Sequence, residues 1–368
     1  MAEPLKAIYD DNFLRQFGEQ VKRHWAAFDA DGFVRRVMGE GWEALELKGR
    51  IRRIAESLGA ELPDRYEEAL DILEGIADVC QGFPYLFFPD FVARFGLAHW
   101  ERSMRALEKF TALSTAEFAV RPFIERDPAR MMAQMETWSR HPNEHVRRLA
   151  SEGCRPRLPW ADALPAFKRD PSPILPILET LKADPSEYVR RSVANNLNDI
   201  SKDHPALVLE LAKRWHGEDP LTDAMLRHAC RSLIRRSADP EALMLFGLPP
   251  LADIEVTAWS ASPVVVPLGG AAEVRYALRM PEGAGAKLRL ELAVDYPRPG
   301  GKTYRKLFKL SEREVAGGEA VGGTRRHAFA DLSTRRHHPG VHRLVLVANG
   351  QAVAETEIRL AGEEAGSP

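Results

Sequence analysis

The 368-residue sequence predicts a mainly α-helical protein that ends in an all-β domain. Up to about residue 250, apolar residues recur at the spacing of one helix face, and prolines separate such stretches. From about residue 251, apolar and polar residues alternate in short runs divided by glycine and proline. We therefore predict two domains, residues 1–250 and residues 251–368.

The composition is that of a globular protein, with 45% hydrophobic and 28% charged residues and a formal net charge of −2. No apolar run reaches the roughly 18 residues of a membrane span, and the N-terminus lacks the pattern of a signal peptide. The three cysteines, Cys80, Cys154 and Cys230, are far apart and form no Cys-x-x-Cys pair. We expect a soluble cytoplasmic protein without a metal site, a disulfide framework or a membrane partner.

Charge is distributed unevenly along the chain. Residues 1–100 carry 18 Asp and Glu against 12 Lys and Arg, whereas residues 101–250 carry 21 against 23. A slight basic excess after residue 100 permits a face that binds nucleic acid but does not require one.

The helical prediction is clearest where apolar residues form a stripe. Leu47, Ile51, Ile54 and Leu58 follow the i, i+4, i+7, i+11 pattern of one helix face. A shorter stripe of the same kind spans residues 226–233. Both stripes predict amphipathic helices packed against a common core.

An internal repeat lies within the helical part. Residues 141–150 align with residues 184–193 at an offset of 43, inside the roughly 40–47-residue period of HEAT-type helix pairs. In both copies a proline is expected to open the helix, a glutamate lies in its first turn, and a valine faces the core. We therefore predict a HEAT-like α-α superhelical solenoid, whose stacked repeats offer an extended concave surface for binding.

The alternating runs of the C-terminal part predict short strands. Breaks between them contain glycine or proline, as in an antiparallel immunoglobulin-like β-sandwich. The runs cover residues 255–259, 273–280, 287–296, 302–310, 342–350 and 354–360.

Candidate site residues come from three predicted helices that place acidic groups one turn from basic or amide groups. The spacing of four residues puts both members on one face, so stacked repeats could bring these faces together. The alternative is that such pairs only support exposed helix surfaces. The sets are Glu117 with Arg121, Arg148 with Glu152, and Arg191 with Asn195 and Asp199.

Two further features favour a ligand. Residues 152–160, EGCRPRLPW, end a helix with two arginines and a tryptophan, and Trp160 in a loop offers a face on which a base can stack. The alternative for Trp160 is a cap over the helix pair. Residues 195–199, NNLND, are also too polar for a simple buried helix face.

The P-x-E-x-V-R-R repeats, the EGCRPRLPW block and the segment VANNLNDISK together resemble the HEAT-like alkylpurine DNA glycosylases. The resemblance covers essentially the whole chain and is to the AlkC branch, which adds a C-terminal immunoglobulin-like domain to the solenoid of its relative AlkD. It implies a monofunctional glycosylase without a cofactor. Its substrates would be cationic N3-alkylated bases, 3-methyladenine and 3-methylcytosine, in alkylated double-stranded DNA.

The resemblance also implies roles for the candidate residues. Glu117, Glu152 and Asp199 would stabilise the oxocarbenium-like sugar and orient water, and Trp160 would face the base. DNA would be held by further residues of both domains, and the enzyme would act as a monomer. These DNA-binding candidates are Arg121, Arg148, Arg155, Arg191, Asn195, Lys302, Arg335 and Arg336.

Two other functions are compatible with the sequence. A non-catalytic HEAT scaffold would use the arginines structurally and the polar helix as a protein interface, and an RNA-binding protein would bind in a salt-sensitive way without releasing a base. A glycosylase requires Glu117, Glu152, Asp199 and Trp160 to meet in one site. The sequence shows no isolated lysine among the acids, so we predict no lyase activity.

Overall fold

This computed structural model describes residues 4–362 except for 237–239, 252, 284 and 332–335. The chain divides into two compact units, Met1–Ala229 and Cys230–Pro368. The boundary predicted at residue 250 does not coincide with the division between these units. It lies between the last described helix and the first strand, where the chain changes from helix to strand. Among the described residues, no helix is both long enough and apolar enough to span a bilayer.

The first unit is built from helices joined by short connections. Their bounds are α1 (Asp11–His24), α2 (Ala30–Val37), α3 (Leu47–Glu61), α4 (Tyr66–Ile76), α5 (Phe87–Phe95), α6 (Trp100–Leu113), α7 (Arg121–Arg126), α8 (Pro128–Trp138), α9 (Glu144–Gly153), α10 (Pro165–Arg169), α11 (Leu175–Leu181), α12 (Glu187–Ile200), α13 (Pro205–Trp215) and α14 (Pro220–Ala229).

The predicted apolar stripes are found in the structure with one change. Ile51, Ile54 and Leu58 of α3 are buried, as the pattern predicts, and Leu47 is half-buried at the start of this helix. The stripe predicted over residues 226–233 is interrupted, because α14 ends at Ala229. Leu233 belongs to the next helix.

The repeated segments form α9 and α12, which pack against each other, and α12 also packs against α14. Each proline precedes its helix by two residues and does not open it, because α9 begins at Glu144 and α12 at Glu187. The start of α9 is capped by Asn143, whose side-chain oxygen accepts a hydrogen bond from the backbone N–H of His145. Both glutamates lie in the first turn, as expected.

The second unit contains two short helices, α15 (Arg231–Arg236) and α16 (Pro240–Leu245), followed by strands. The strands are β1 (Glu255–Ser262), β2 (Val265–Pro267), β3 (Ala271–Arg279), β4 (Ala286–Pro297), β5 (Thr303–Val315), β6 (Ala320–Ala328), β7 (Gly340–Ala348) and β8 (Gln351–Ala361). They form a three-stranded sheet in the order β1-β3-β6 and a five-stranded sheet in the order β2-β8-β7-β4-β5.

The sheets differ from the sequence prediction in two respects. β2 and β6 lie outside the six predicted runs, and β2 pairs in parallel with β8, whereas the other pairs are antiparallel. Buried side chains from both sheets form the core. β4 contributes most of its length to this core, including Leu290, Leu292 and Val294.

Candidate active site

Glu117 lies in a turn and not on a helix, because residues 117–120 form a turn and α7 begins only at Arg121. The predicted helical pair of Glu117 and Arg121 is therefore wrong. The Glu117 carboxylate accepts hydrogen bonds from the hydroxyl of Thr115 and the guanidinium of Arg148. Only 12% of the Glu117 side chain is exposed, so these two donors compensate a nearly buried negative charge.

Arg148 and Glu152 share one face of α9, as their spacing predicts, with Arg148 Nη2 3.6 Å from Glu152 Oε1. The Arg148 guanidinium also lies over the ring of Tyr188, 5.1 Å from its centroid. Burial alone would lower the pKa of Arg148, but the carboxylates of Glu117 and Glu152 outweigh it and raise that pKa above its ordinary value. Arg148, which was predicted to bind DNA, therefore bridges two acids, and only 15% of its side chain is exposed.

Arg155 joins Glu152 to Asp199 across the interface of two repeats. Its Nη1 lies 2.6 Å from Glu152 Oε1, and its Nη2 lies 2.8 Å from Asp199 Oδ2. The other oxygen of Asp199 accepts a hydrogen bond from Lys202 Nζ at 2.8 Å. Ser192 donates its hydroxyl to Glu152 Oε2 at 2.6 Å. Both oxygens of Asp199 and of Glu152 are thus engaged by donors.

These groups form one connected set, which we call the carboxylate–arginine network. Acidic and basic side chains alternate along it, so each acid contacts at least one cation and the formal charges cancel. Such pairing is what allows three carboxylates to be held close together while largely buried. The network consists of Glu117, Arg148, Glu152, Arg155, Asp199 and Lys202.

Arg121 and Arg155, predicted to hold phosphates, are buried and bonded to other parts of the protein. Arg121 donates to the backbone carbonyls of Gly153 and Arg155 at 3.1 and 3.0 Å, and also to the carbonyl of Asp162. Burial lowers the pKa of the Arg121 guanidinium below its ordinary value. The structure therefore gives Arg121 a different task, which is to fix the loop that follows α9.

Trp160 lies on that loop with its side chain exposed. Its backbone adopts a left-handed conformation with φ of 65°, and 58% of the residue is accessible to solvent. A cap over the helix pair would be buried, so the alternative of such a cap does not describe the exposed Trp160. Trp160 lines a small cavity together with Thr115, the residue that donates to Glu117. This shared cavity wall brings the tryptophan to the edge of the carboxylate–arginine network.

The remaining candidates of the first unit lie on α12, before Asp199. Arg191 is exposed and pairs with Glu187 at 2.7 Å. Asn195 is half-buried, and its side-chain oxygen is 3.2 Å from the Nε2 atom of His228 on α14. Arg191 and His228 line an open depression between these two helices. DNA binding by Arg191 and Asn195 stays a prediction.

In the second unit, Lys302 is exposed immediately before β5, and Arg336 is exposed near β7. Arg336 lines a cavity of about 430 Å³ together with Lys306 and Tyr304. Arg335 lies outside the described residues. The candidates that are described thus lie on accessible surface, where a polyanion could reach them.

Sequence reasoning missed several members of the site. Lys202 contradicts the expectation that no lysine lies among the acids. Its spacing of three residues from Asp199 was a usable signal, although Lys202 lies just past the end of α12. Ser192 and Tyr188 carry no comparable signal, because their contacts with the network come from residues distant in sequence. Thr115 lies only two residues before Glu117, but its contact with Arg148 also spans the fold.

Two parts of the chain match known families. Residues 97–233 match the family described as DNA alkylation repair enzyme, and residues 255–362 match the C-terminal Ig-like domain of the uncharacterised protein YhaZ. These matches define a DNA alkylation repair protein that carries an immunoglobulin-like domain. They confirm the predicted order of a HEAT-like helical part and a β-sandwich.

Two relatives extend over nearly the whole chain. One is the uncharacterized protein YhaZ of Bacillus subtilis (strain 168), which is 44% identical over 347 residues, 94% of this chain and 96% of that protein. The other is the solved structure of Pseudomonas fluorescens alkylpurine DNA glycosylase AlkC bound to DNA containing an abasic site analog. It matches with a TM-score of 0.93 and 39% identity, covering 98% of this chain and 100% of that one. The chain therefore belongs to the AlkC-type family of DNA alkylation repair enzymes.

Proposed function

We propose that this protein is a monofunctional DNA glycosylase that hydrolyses the N-glycosidic bond of cationic N3-alkylated bases in double-stranded DNA. The substrates would be 3-methyladenine and 3-methylcytosine. The observation that carries the proposal is that Glu117, Glu152 and Asp199, which come from three separate segments, belong to one network. A non-catalytic scaffold has no need for this convergence.

The chemistry of the substrate explains why carboxylates suffice. Alkylation at N3 gives the base a positive charge, so the glycosidic bond is already weakened and the base can leave without being protonated. As this bond breaks, positive charge moves to the sugar. Carboxylates held in fixed positions stabilise that charge, and a carboxylate can also orient the attacking water.

Each part of the site has a role in this scheme. Asp199 and Glu152 would lie nearest the sugar and the water, and Glu117 would complete the negative surface. Arg148 and Arg155 would hold the carboxylates in place, because each guanidinium touches two of them. The exposed face of Trp160 would attract the cationic base.

The protein would hold duplex DNA through exposed basic residues of both units, and we expect it to act as a monomer. Arg191 is the candidate in the first unit, with Asn195 beside it, and Lys302 and Arg336 are candidates in the second. The AlkC relative was solved bound to DNA, which supports a DNA partner for this chain as well. Removing one phosphate contact should reduce the salt dependence of binding by about one unit of the log–log slope.

Base release from methylated duplex DNA tests the proposal. The unmodified protein should release 3-methyladenine, and Asp199→Asn and Glu152→Gln should release it far more slowly while still binding duplex DNA. Asp203→Asn is a matched control, because Asp203 pairs with Arg157 at 2.7 Å outside the network.

The same assay separates the alternatives. Binding of DNA without release of any base would contradict the glycosylase and favour a scaffold. Tighter binding to RNA than to alkylated duplex DNA, again without release, would favour an RNA-binding protein.

A further inference from the structure

A small cavity lies beside the carboxylate–arginine network in the first unit. Its volume is about 30 Å³, and apolar side chains from three separate segments form much of its wall. A cavity needs about 10–15 Å³ to hold one water molecule and about 150 Å³ to hold a benzene ring, so a group the size of a methyl fits this cavity and an aromatic base does not. Leu47 and Ile51 come from α3, Phe118 and Ala119 from the turn before α7, and Trp160 from the loop after α9.

Thr115 connects this cavity to the carboxylates. It lines the cavity, donates its hydroxyl to Glu117, and accepts a hydrogen bond from Arg148 Nη1 at 3.0 Å. Trp160, the candidate for contact with the base, lies on the same wall. A base positioned between Trp160 and the carboxylates would therefore have this cavity within reach of its substituents.

The polar groups of the cavity do not make it a site for a second charged ligand. Its carboxylate, Asp90, is bound by Arg52, with Nε 2.8 Å from Oδ2 and Nη2 3.0 Å from Oδ1. Lys48 lies on its rim with the ammonium 5.8 Å from the centroid of the Phe118 ring. Apart from Asp90, Lys48 and Thr115, the residues that line the cavity are apolar or aromatic.

We propose that this cavity receives the N-alkyl group of the lesion base and restricts it to about the size of a methyl. The assignment rests on the proposed glycosylase function and adds a cause for substrate choice. One extra methylene in a hydrophobic pocket changes the specificity of an enzyme by roughly 10- to 200-fold. The protein should therefore prefer methylated bases to ethylated bases by a factor in this range.

The ratio of two initial rates tests the cavity directly. 3-Methyladenine and 3-ethyladenine are released from duplex DNA treated with a methylating or an ethylating agent, and each rate is divided by the lesion content. Leu47→Ala enlarges the cavity and should reduce the preference for the methylated base by roughly tenfold. Leu45→Ala is the matched control, because Leu45 is also half-buried but does not line the cavity, and it should leave the ratio unchanged.

A second variant tests the same assignment in the opposite direction. Ala119→Val adds two methyl groups inside the cavity and should slow release of 3-methyladenine by roughly tenfold or more. Its affinity for undamaged duplex DNA should match that of the unmodified protein, which also shows that the variant is folded.

The outcomes separate this proposal from the function on which it rests. If the unmodified protein releases neither base, the glycosylase itself is contradicted. If it releases 3-methyladenine, but Leu47→Ala leaves the ratio unchanged and Ala119→Val has no effect, only the cavity assignment is overturned.

Discussion

Replacing Asp199 by asparagine removes one charge and keeps the shape of the side chain. The carboxylate accepts from Arg155 through one oxygen and from Lys202 through the other. An asparagine amide offers one oxygen, so its NH₂ group must face one of these two cationic donors. The variant thus loses a negative charge and one hydrogen bond, and little else in the packing changes.

The expected effect on catalysis follows from Coulomb's law. A unit charge about 5 Å from the developing cation, at an effective dielectric constant of about 20, contributes about 3 kcal/mol. This energy corresponds to roughly 200-fold in rate. Asp199→Asn should therefore lower the rate of 3-methyladenine release under single-turnover conditions by about two orders of magnitude.

The cost in stability should be smaller than the effect on the rate. Removing the sole partner of a buried charge costs about 3–5 kcal/mol. Here Arg155 keeps Glu152 at 2.6 Å, and Lys202 is 30% exposed and can be hydrated. We therefore expect the free energy of unfolding to fall by about 2 kcal/mol, which leaves most of a typical stability of about 5–15 kcal/mol.

Both quantities are measured for Asp199→Asn and for the control Asp203→Asn. Single-turnover rates report catalysis, and urea unfolding reports stability. A variant that releases 3-methyladenine at the normal rate would refute the assigned role of Asp199. An equal loss in Asp203→Asn would show that any acid of this segment has the same effect, and would refute the reasoning from the network.

Three other perturbations test separate parts of the molecule. Because the Lys202 ammonium donates a hydrogen bond to Asp199, we expect that Lys202 does not attack an abasic sugar and that borohydride traps no covalent adduct. An adduct that forms with the unmodified protein and disappears in Lys202→Arg would contradict this. Because Trp160 has a φ of 65°, Trp160→Gly should be more stable to urea than Trp160→Ala by about 1 kcal/mol, whereas both should release base slowly. In the second unit, burial would raise the pKa of Glu312, but Lys309 and two other basic side chains outweigh it and lower the pKa from 4.5 to about 2. This depressed pKa stabilises the fold above pH 4.5, and the contribution of about 2 kcal/mol should be lost as the pH falls towards 2. Hydrogen exchange in β4 and β5, compared between the unmodified protein and Glu312→Gln, measures this loss.

Features that depend on residues close in sequence could be predicted well. The change from helical to alternating patterns marks the end of α16 and the start of β1, and the 43-residue repeat identifies α9 and α12. The i, i+4 spacing also placed Arg148 and Glu152 correctly on one face of α9. Local periodicity carries this information because it reflects which face of an element is buried.

Features that depend on tertiary contacts could not be predicted. Arg155 meets Asp199 across 44 residues, and no local pattern distinguishes this bridging arginine from the buried Arg121. β6 was missed because its two central glycines resemble a loop. A Cβ at Gly323 would lie 2.8 Å from the Tyr276 hydroxyl oxygen, so the ring of Tyr276 on the neighbouring strand leaves room there only for a glycine unless that ring moves.

If the protein is the proposed glycosylase, the alternation of charges explains how a site made of acids favours one particular cation. Three carboxylates without partners would be costly to bury and would attract any cation. Because Arg148 and Arg155 each bind two of them, the network as a whole is neutral, and its negative charges act only at short range. Asp199 and Glu152 stabilise a positive charge most strongly when it lies within a few ångströms of them. The sugar carries such a charge only while the glycosidic bond breaks. In the proposed reaction, the arginines would thus direct the stabilisation towards the transition state and away from the bound substrate.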